Sequence, residues 1–148
     1  MKQIVLIPLM ATSVLMGCQQ QAEQLKETAA IESEKQVAAW VGKYQGTTPC
    51  MGCVSRCEDC PGMAVKLDLN EDMTYTLVRE SLSGHNEIET IHGVITFTDP
   101  EQTQLELKQV TTRNLMVVDL AKQQLEIRED VSAKKYQMQN DFILAKKA

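Results

Sequence analysis

The sequence predicts an all-β protein, an antiparallel barrel or sandwich of seven or eight short strands. Three observations carry this. Short runs in which apolar and polar residues alternate recur at spacings of about 8 to 15 residues from Trp40 onward. Turn-forming residues, such as Asn70 to Met73 and Asp99-Pro100, punctuate them. No βαβ alternation is visible, which excludes a thioredoxin fold.

Before the strands come two other segments. Lys2 precedes an uncharged run, Ile4 to Gly17, shorter than the roughly 20 apolar residues that cross a bilayer. A charged start, a short apolar core and small residues ahead of a cleavage point mark an export signal over residues 1–17. Leu15, Met16, Gly17 and Cys18 resemble the bacterial lipobox, which implies acylation of Cys18 as the first mature residue and anchoring to a membrane. Gln19 after that cysteine implies, by the same resemblance, sorting to the outer membrane, facing the periplasm. A plain secretory signal with an incidental cysteine is the other reading. Residues 18–39 are rich in Gln, Glu, Lys and Ala and cannot bury a core, so they read as a tether.

The remaining domain, 40–148, is long enough for one modest core. Trp40, Gly42, Tyr44 and Gly46 alternate with polar residues and predict a first strand. Met63, Val65, Leu67 and Leu69 predict the second, which returns through Thr74 to Val78 as a hairpin. A polar stretch, Glu80 to Glu87, precedes a strand over Ile88 to Phe97. Leu105 and Leu107, then Asn114 to Leu120, then Leu125 and Ile127 supply three more, and Asp141 to Lys146 the last.

Between the first two strands lies Pro49 to Gly62, which holds four of the five cysteines as two C-x-x-C pairs, Cys50/Cys53 and Cys57/Cys60. Proline at 49 and 61 and glycine at 52 and 62 mark a loop. Such a cluster is a soft-metal site, a redox-active dithiol or a pair of structural disulfides. Once Cys18 is committed to lipid, an even number remains in an oxidising compartment, which favours a disulfide-bonded resting state. The three connectivities stay open. Local 50–53 and 57–60 bridges would be strained and easily reduced. Zinc fits less well, because its ligand pairs are commonly a dozen or more residues apart.

The order W-x-G-x-Y-x-G (Trp40 to Gly46), T-P-C-x-x-C, C-x-D-C-P-G-M and L-x-L-N-x-D-x-T-Y-T-L (Leu67 to Leu77) resembles the N-terminal domain of the NlpE copper-homeostasis lipoproteins. The resemblance is close over residues 40–79. It implies a small meander β-barrel of six to eight strands, lipocalin-like and partly open. It also implies roles in copper tolerance and in envelope-stress signalling through a sensor kinase. Two departures stand out. The family pattern has one C-x-x-C where this chain has two, and larger members carry a second, C-terminal β-domain that is not seen here.

The expected function is therefore an outer-membrane lipoprotein of copper homeostasis and stress sensing. Cys50, Cys53, Cys57 and Cys60 would bind Cu(I) or switch between thiol and disulfide. The alternative is a lipocalin-like carrier of a small apolar ligand, with the cysteines as structural disulfides. Met51 could add a thioether ligand, whereas Met63 reads as core. His85 and His92 read as surface or strand residues. Glu58 and Asp59 have no identifiable partner base, and no G-x-S-x-G surrounds any serine, so no enzyme signature is present. A net charge of −5, moving to −6 once Lys2 leaves with the signal, excludes a basic nucleic-acid surface.

Overall fold

A computed structural model describes residues 39–84, 87–136 and 139–148, without the side chain of residue 139. The expected signal peptide, the lipidation site Cys18, the tether up to residue 38 and His85 lie outside these residues. Eight strands run in chain order, each antiparallel to the next: β1 (Gly42–Thr48), β2 (Met63–Leu69), β3 (Thr74–Ser81), β4 (Ile88–Phe97), β5 (Gln104–Leu107), β6 (Leu115–Asp119), β7 (Gln124–Glu129) and β8 (Ile143–Lys146). β8 returns to β1, so the meander closes into a barrel.

Alternation explains the closure. In each strand every second side chain turns inward, and Tyr44, Leu67, Leu69, Tyr75, Leu77, Ile95, Leu105, Leu107, Leu125 and Leu144 are all essentially buried. They fill the interior as one cluster. Met63 is buried at the start of β2, as its pattern implies. The seam is short: β1 pairs with β8 at Tyr44↔Lys146 and Gln45↔Ala145, and Lys147 N–H donates to the Lys43 carbonyl (2.7 Å). Gly46 makes even this pairing possible, because a Cβ there would collide with the Ile143 carbonyl. The barrel is thus closed, where the family resemblance implied a partly open one.

Two ends of the barrel differ. At one end the connections are tight turns, each pinned by a carboxylate or amide. Asp72 accepts from Thr74 N–H (3.1 Å), Asp99 from the N–H groups of Thr103 and Gln104, and Asp119 from that of Lys122. Trp40 plugs the interior, its ring edge-on to Phe97 at 5.5 Å and its carbonyl accepting from the Tyr44 hydroxyl. The sequence places Trp40 in the first strand, but the strand begins at Gly42 and the indole serves as a cap. At the other end lie the long connections: residues 49–62, 82–87, 108–114 and 130–142. A short 3-10 turn, Gln139–Asp141, replaces the expected start of the last strand.

Candidate functional site: a cysteine loop clamped at the barrel mouth

The β1–β2 connection carries the cysteines to that second end. Each C-x-x-C folds as a turn, with Cys53 N–H donating to the Cys50 carbonyl (2.9 Å) and Cys60 N–H to the Cys57 carbonyl (3.3 Å). Such turns hold residues i and i+3 near each other. The structure joins neither local pair. It bonds Cys50 to Cys60, Cα atoms 6.8 Å apart, and leaves Cys53 half-buried and Cys57 exposed as thiols. The loop closes on β2 through Gly62, whose φ of +86° and close approach to the Thr48 carbonyl exclude a side chain.

Two cations from distant elements, Arg113 and Lys134, hold the loop by its backbone, and a third, Arg56, ties it outward from within. Arg113, in the β5–β6 connection, is 2% exposed. Its Nη1 donates to Thr48 Oγ1 (3.0 Å) and the Pro49 carbonyl (2.8 Å), and its Nη2 to the carbonyls of Cys50 (2.7 Å) and Cys53 (3.0 Å). The guanidinium carbon lies 4.9 Å from the Phe142 ring centre and 5.3 Å from that of Tyr136, within cation–π range. Among the described residues no carboxylate hydrogen-bonds to it and its Nε has no partner, and burial holds it below the usual arginine range. Arg56, within the loop, donates from Nε to Asp141 (2.9 Å) and from Nη2 to the Thr47 carbonyl (2.8 Å). Lys134 reaches the Gly52 carbonyl at 3.4 Å.

The clamp is itself supported. Tyr136 donates its hydroxyl to Asp130 (3.1 Å), which also accepts from Ser132 and from the N–H of Lys134. Burial opposes the charge on Asp130, yet these hydrogen bonds win and hold its carboxyl below the usual carboxylate range. Asn114, fully buried, accepts from Val131 N–H and so ties this turn to the Arg113 connection.

Arg113 and Arg56 escape sequence reasoning. The partners of Arg113 lie 60 to 65 residues away and the Asp141 partner of Arg56 lies 85 away, and the weak signal available is a charged residue interrupting an otherwise apolar or cysteine-rich run. Glu58 and Asp59 are exposed in the loop. His92 lies exposed on β4, its Nδ1 3.0 Å from Thr76 Oγ1. Among the described residues, no three His, Cys, Asp or Glu side chains converge as metal ligands. With Cys50 and Cys60 bonded, the soft donors are the two thiols, a set that suits two-coordinate Cu(I) and falls short of a four-sulfur site. A groove of about 260 Å³ lies outside the barrel, lined by Lys43, Gln45, Lys66, Asp68, Thr76 and Val78. These side chains point away from the core, so it is not the interior chamber of a carrier.

Residues 44–132 match the family described as the NlpE N-terminal domain. A crystal structure from Shewanella oneidensis, of a protein described as a lipoprotein, superposes with a TM-score of 0.55 at 22% identity. The alignment covers 74% of this chain and 90% of that one, a likeness of fold. No curated protein matches.

Proposed function

Because the chain belongs to the NlpE N-terminal domain family, we propose that it is a lipid-anchored copper-handling and stress-reporting protein at the periplasmic face of the outer membrane. Cys50, Cys53, Cys57 and Cys60 form its thiol site. The observation that carries this reading is the clamped loop. A purely structural disulfide needs no buried arginine holding the backbone before and after Cys50, whereas a site whose sulfurs change state does, because its frame must persist when the bond opens.

The lipobox-like Leu15 to Cys18 supports the anchor, as does the likeness to a protein described as a lipoprotein. In the oxidised loop Cys53 and Cys57 are the two available soft donors. A dithiol reductant that takes up the Cys50–Cys60 bond, itself becoming a disulfide, releases two more thiols into the same loop. Copper(I) is the cargo, held by thiolates that each C-x-x-C turn keeps close together. The metal state of the loop is then what a sensor kinase partner would read at the barrel mouth. The filled interior favours this reading over an apolar-ligand carrier.

Anaerobic titration of the reduced protein with Cu(I), against a competing chelator, tests the proposal. Tight binding should vanish when the four loop cysteines are replaced by serine. Unchanged stoichiometry in that variant would refute a copper role for the loop.

A further inference from the structure

β4 is the longest strand and the least covered. It pairs with β3 from Ile88 to Val94, but with β5 only from Ile95 to Phe97. Ile95 N–H donates to the Met73 carbonyl and Ser81 N–H to the Glu87 carbonyl, so the odd-numbered residues of β4 face β3. The even-numbered residues face the other way. Val94 is satisfied there, accepting from Lys108 N–H and donating to Gln109 Oε1. Among the described residues, the N–H and C=O groups of Ile88, Thr90 and His92 have no partner.

Among the described residues this edge lacks a blocking cation, a proline and a bulge. Ile88 to Val94 contains no Lys, Arg or Pro, and β4 is paired to β3 here without a bulge. Its one charge, Glu89, is engaged by Arg79 on β3 at 3.3 Å. Three of the six exposed large apolar residues among those described, Leu82, Ile88 and Val94, lie on the strand or beside it. An exposed edge of this kind is a template for another strand.

We propose that this edge pairs with the same edge of a second copy, antiparallel about a two-fold axis at Thr90. In that register Thr90 faces Thr90 of the second copy, Ile88 faces His92, and Glu89 faces Ile91. No like charges meet, and threonine pairs are favourable cross-strand neighbours. All three open residues lie at hydrogen-bonded positions, so each copy satisfies the other's N–H and C=O groups. A two-fold axis also closes the assembly, where a shifted register would leave part of each edge open.

Sedimentation equilibrium of the mature full chain in density-matched detergent tests this. The mass should rise from one copy to two with concentration. Thr90→Pro removes only an outward-facing N–H, and His92→Lys adds an edge-blocking charge; each should weaken dimerisation at least tenfold with melting temperature nearly unchanged. Thr90→Cys should cross-link copies, since hydrogen-bonded pairs place Cα atoms about 5.5 Å apart, within disulfide range. Val78→Cys, one strand away from the edge on β3, should not. A single-copy mass at every concentration overturns the proposal and leaves the edge to an extended segment of another protein. So does a dimer indifferent to both edge substitutions.

Discussion

Replacing Arg113 with methionine, which keeps most of its volume and none of its donors, tests the clamp directly. Four hydrogen bonds disappear, and they are unequal. The carbonyls of Cys50 and Cys53 sit in half-buried residues, so water can replace the guanidinium there at little cost. Thr48 Oγ1 and the Pro49 carbonyl are buried, and only their mutual contact at 3.3 Å would remain. Leaving this pair under-satisfied costs about 1–3 kcal/mol. Lost cation–π contact with Tyr136 and Phe142 adds roughly 1 kcal/mol. Against these, methionine relieves the burial of a cation that has no carboxylate partner. The net expectation is a loss of about 2 kcal/mol, or roughly 10 °C in melting temperature for a domain of this size. Urea unfolding measures the first quantity. Hydrogen exchange then locates the damage, because amides from residue 50 to 60 should lose protection before those of the strands. Arg113→Lys keeps the charge but cannot fork across two pairs of acceptors, so it should fall between. A loss below about 0.5 kcal/mol with unchanged loop exchange would show that the loop is held without Arg113.

Other outcomes follow from the same structure. Alkylation of the native, air-oxidised chain followed by peptide mapping should label Cys53 and Cys57 and recover Cys50 cross-linked to Cys60; a local 50–53 or 57–60 bridge would contradict the geometry. Gly46→Val drives a side chain into the Ile143 carbonyl and should cost about 2–3 kcal/mol, with exchange at Tyr44, Gln45 and Ala145 rising first as the seam opens. Asp130 is held below the usual carboxylate range, so its folded pKa lies under its unfolded one. Its contribution is therefore full above the unfolded value of about 4 and is lost as pH falls through the folded value. Acid titration of stability should show that loss blunted in Asp130→Asn, which is weaker at neutral pH.

Most of the barrel is legible in the sequence because burial there follows a local rule. Met63 to Leu69 and Thr74 to Val78 alternate strictly, and their alternate side chains are the buried ones. The loop is legible for a different reason: cysteines are rare, and four within eleven residues need no tertiary information to be noticed. What escapes is whatever depends on chain ends meeting. Trp40 continues the alternation of β1 yet leaves the strand, because a large indole gains more by covering the end of the core than by extending a strand. The pairing of Cys50 with Cys60 depends on how two successive turns are oriented, which the clamp decides. Asp141 reads as the start of a strand but stays in the turn before it, held by Arg56 from across the mouth.

The clamp and the open edge of β4 share one cause. Had β5 continued along β4 beyond Lys108, residues 110 and 112 would lie opposite His92 and Thr90 and cover the edge. Instead the chain turns at Gln109, φ +68°, and again at Arg113, φ +57°, both in the left-handed region that side chains other than glycine occupy at a cost. That path buries Val110 and delivers the guanidinium to the cysteine loop, while Arg79 on β3 donates to the Thr112 carbonyl at 2.6 Å and fixes the diverted strand. The strain is offset at the loop, where Arg113 gains its four acceptors, and the consequence appears at the edge, where β4 loses its neighbour. A change that frees Arg113 from the loop therefore removes the main reason for the diversion. Arg113→Met should alter not only loop exchange but also the protection of the Thr90 and His92 amides on β4.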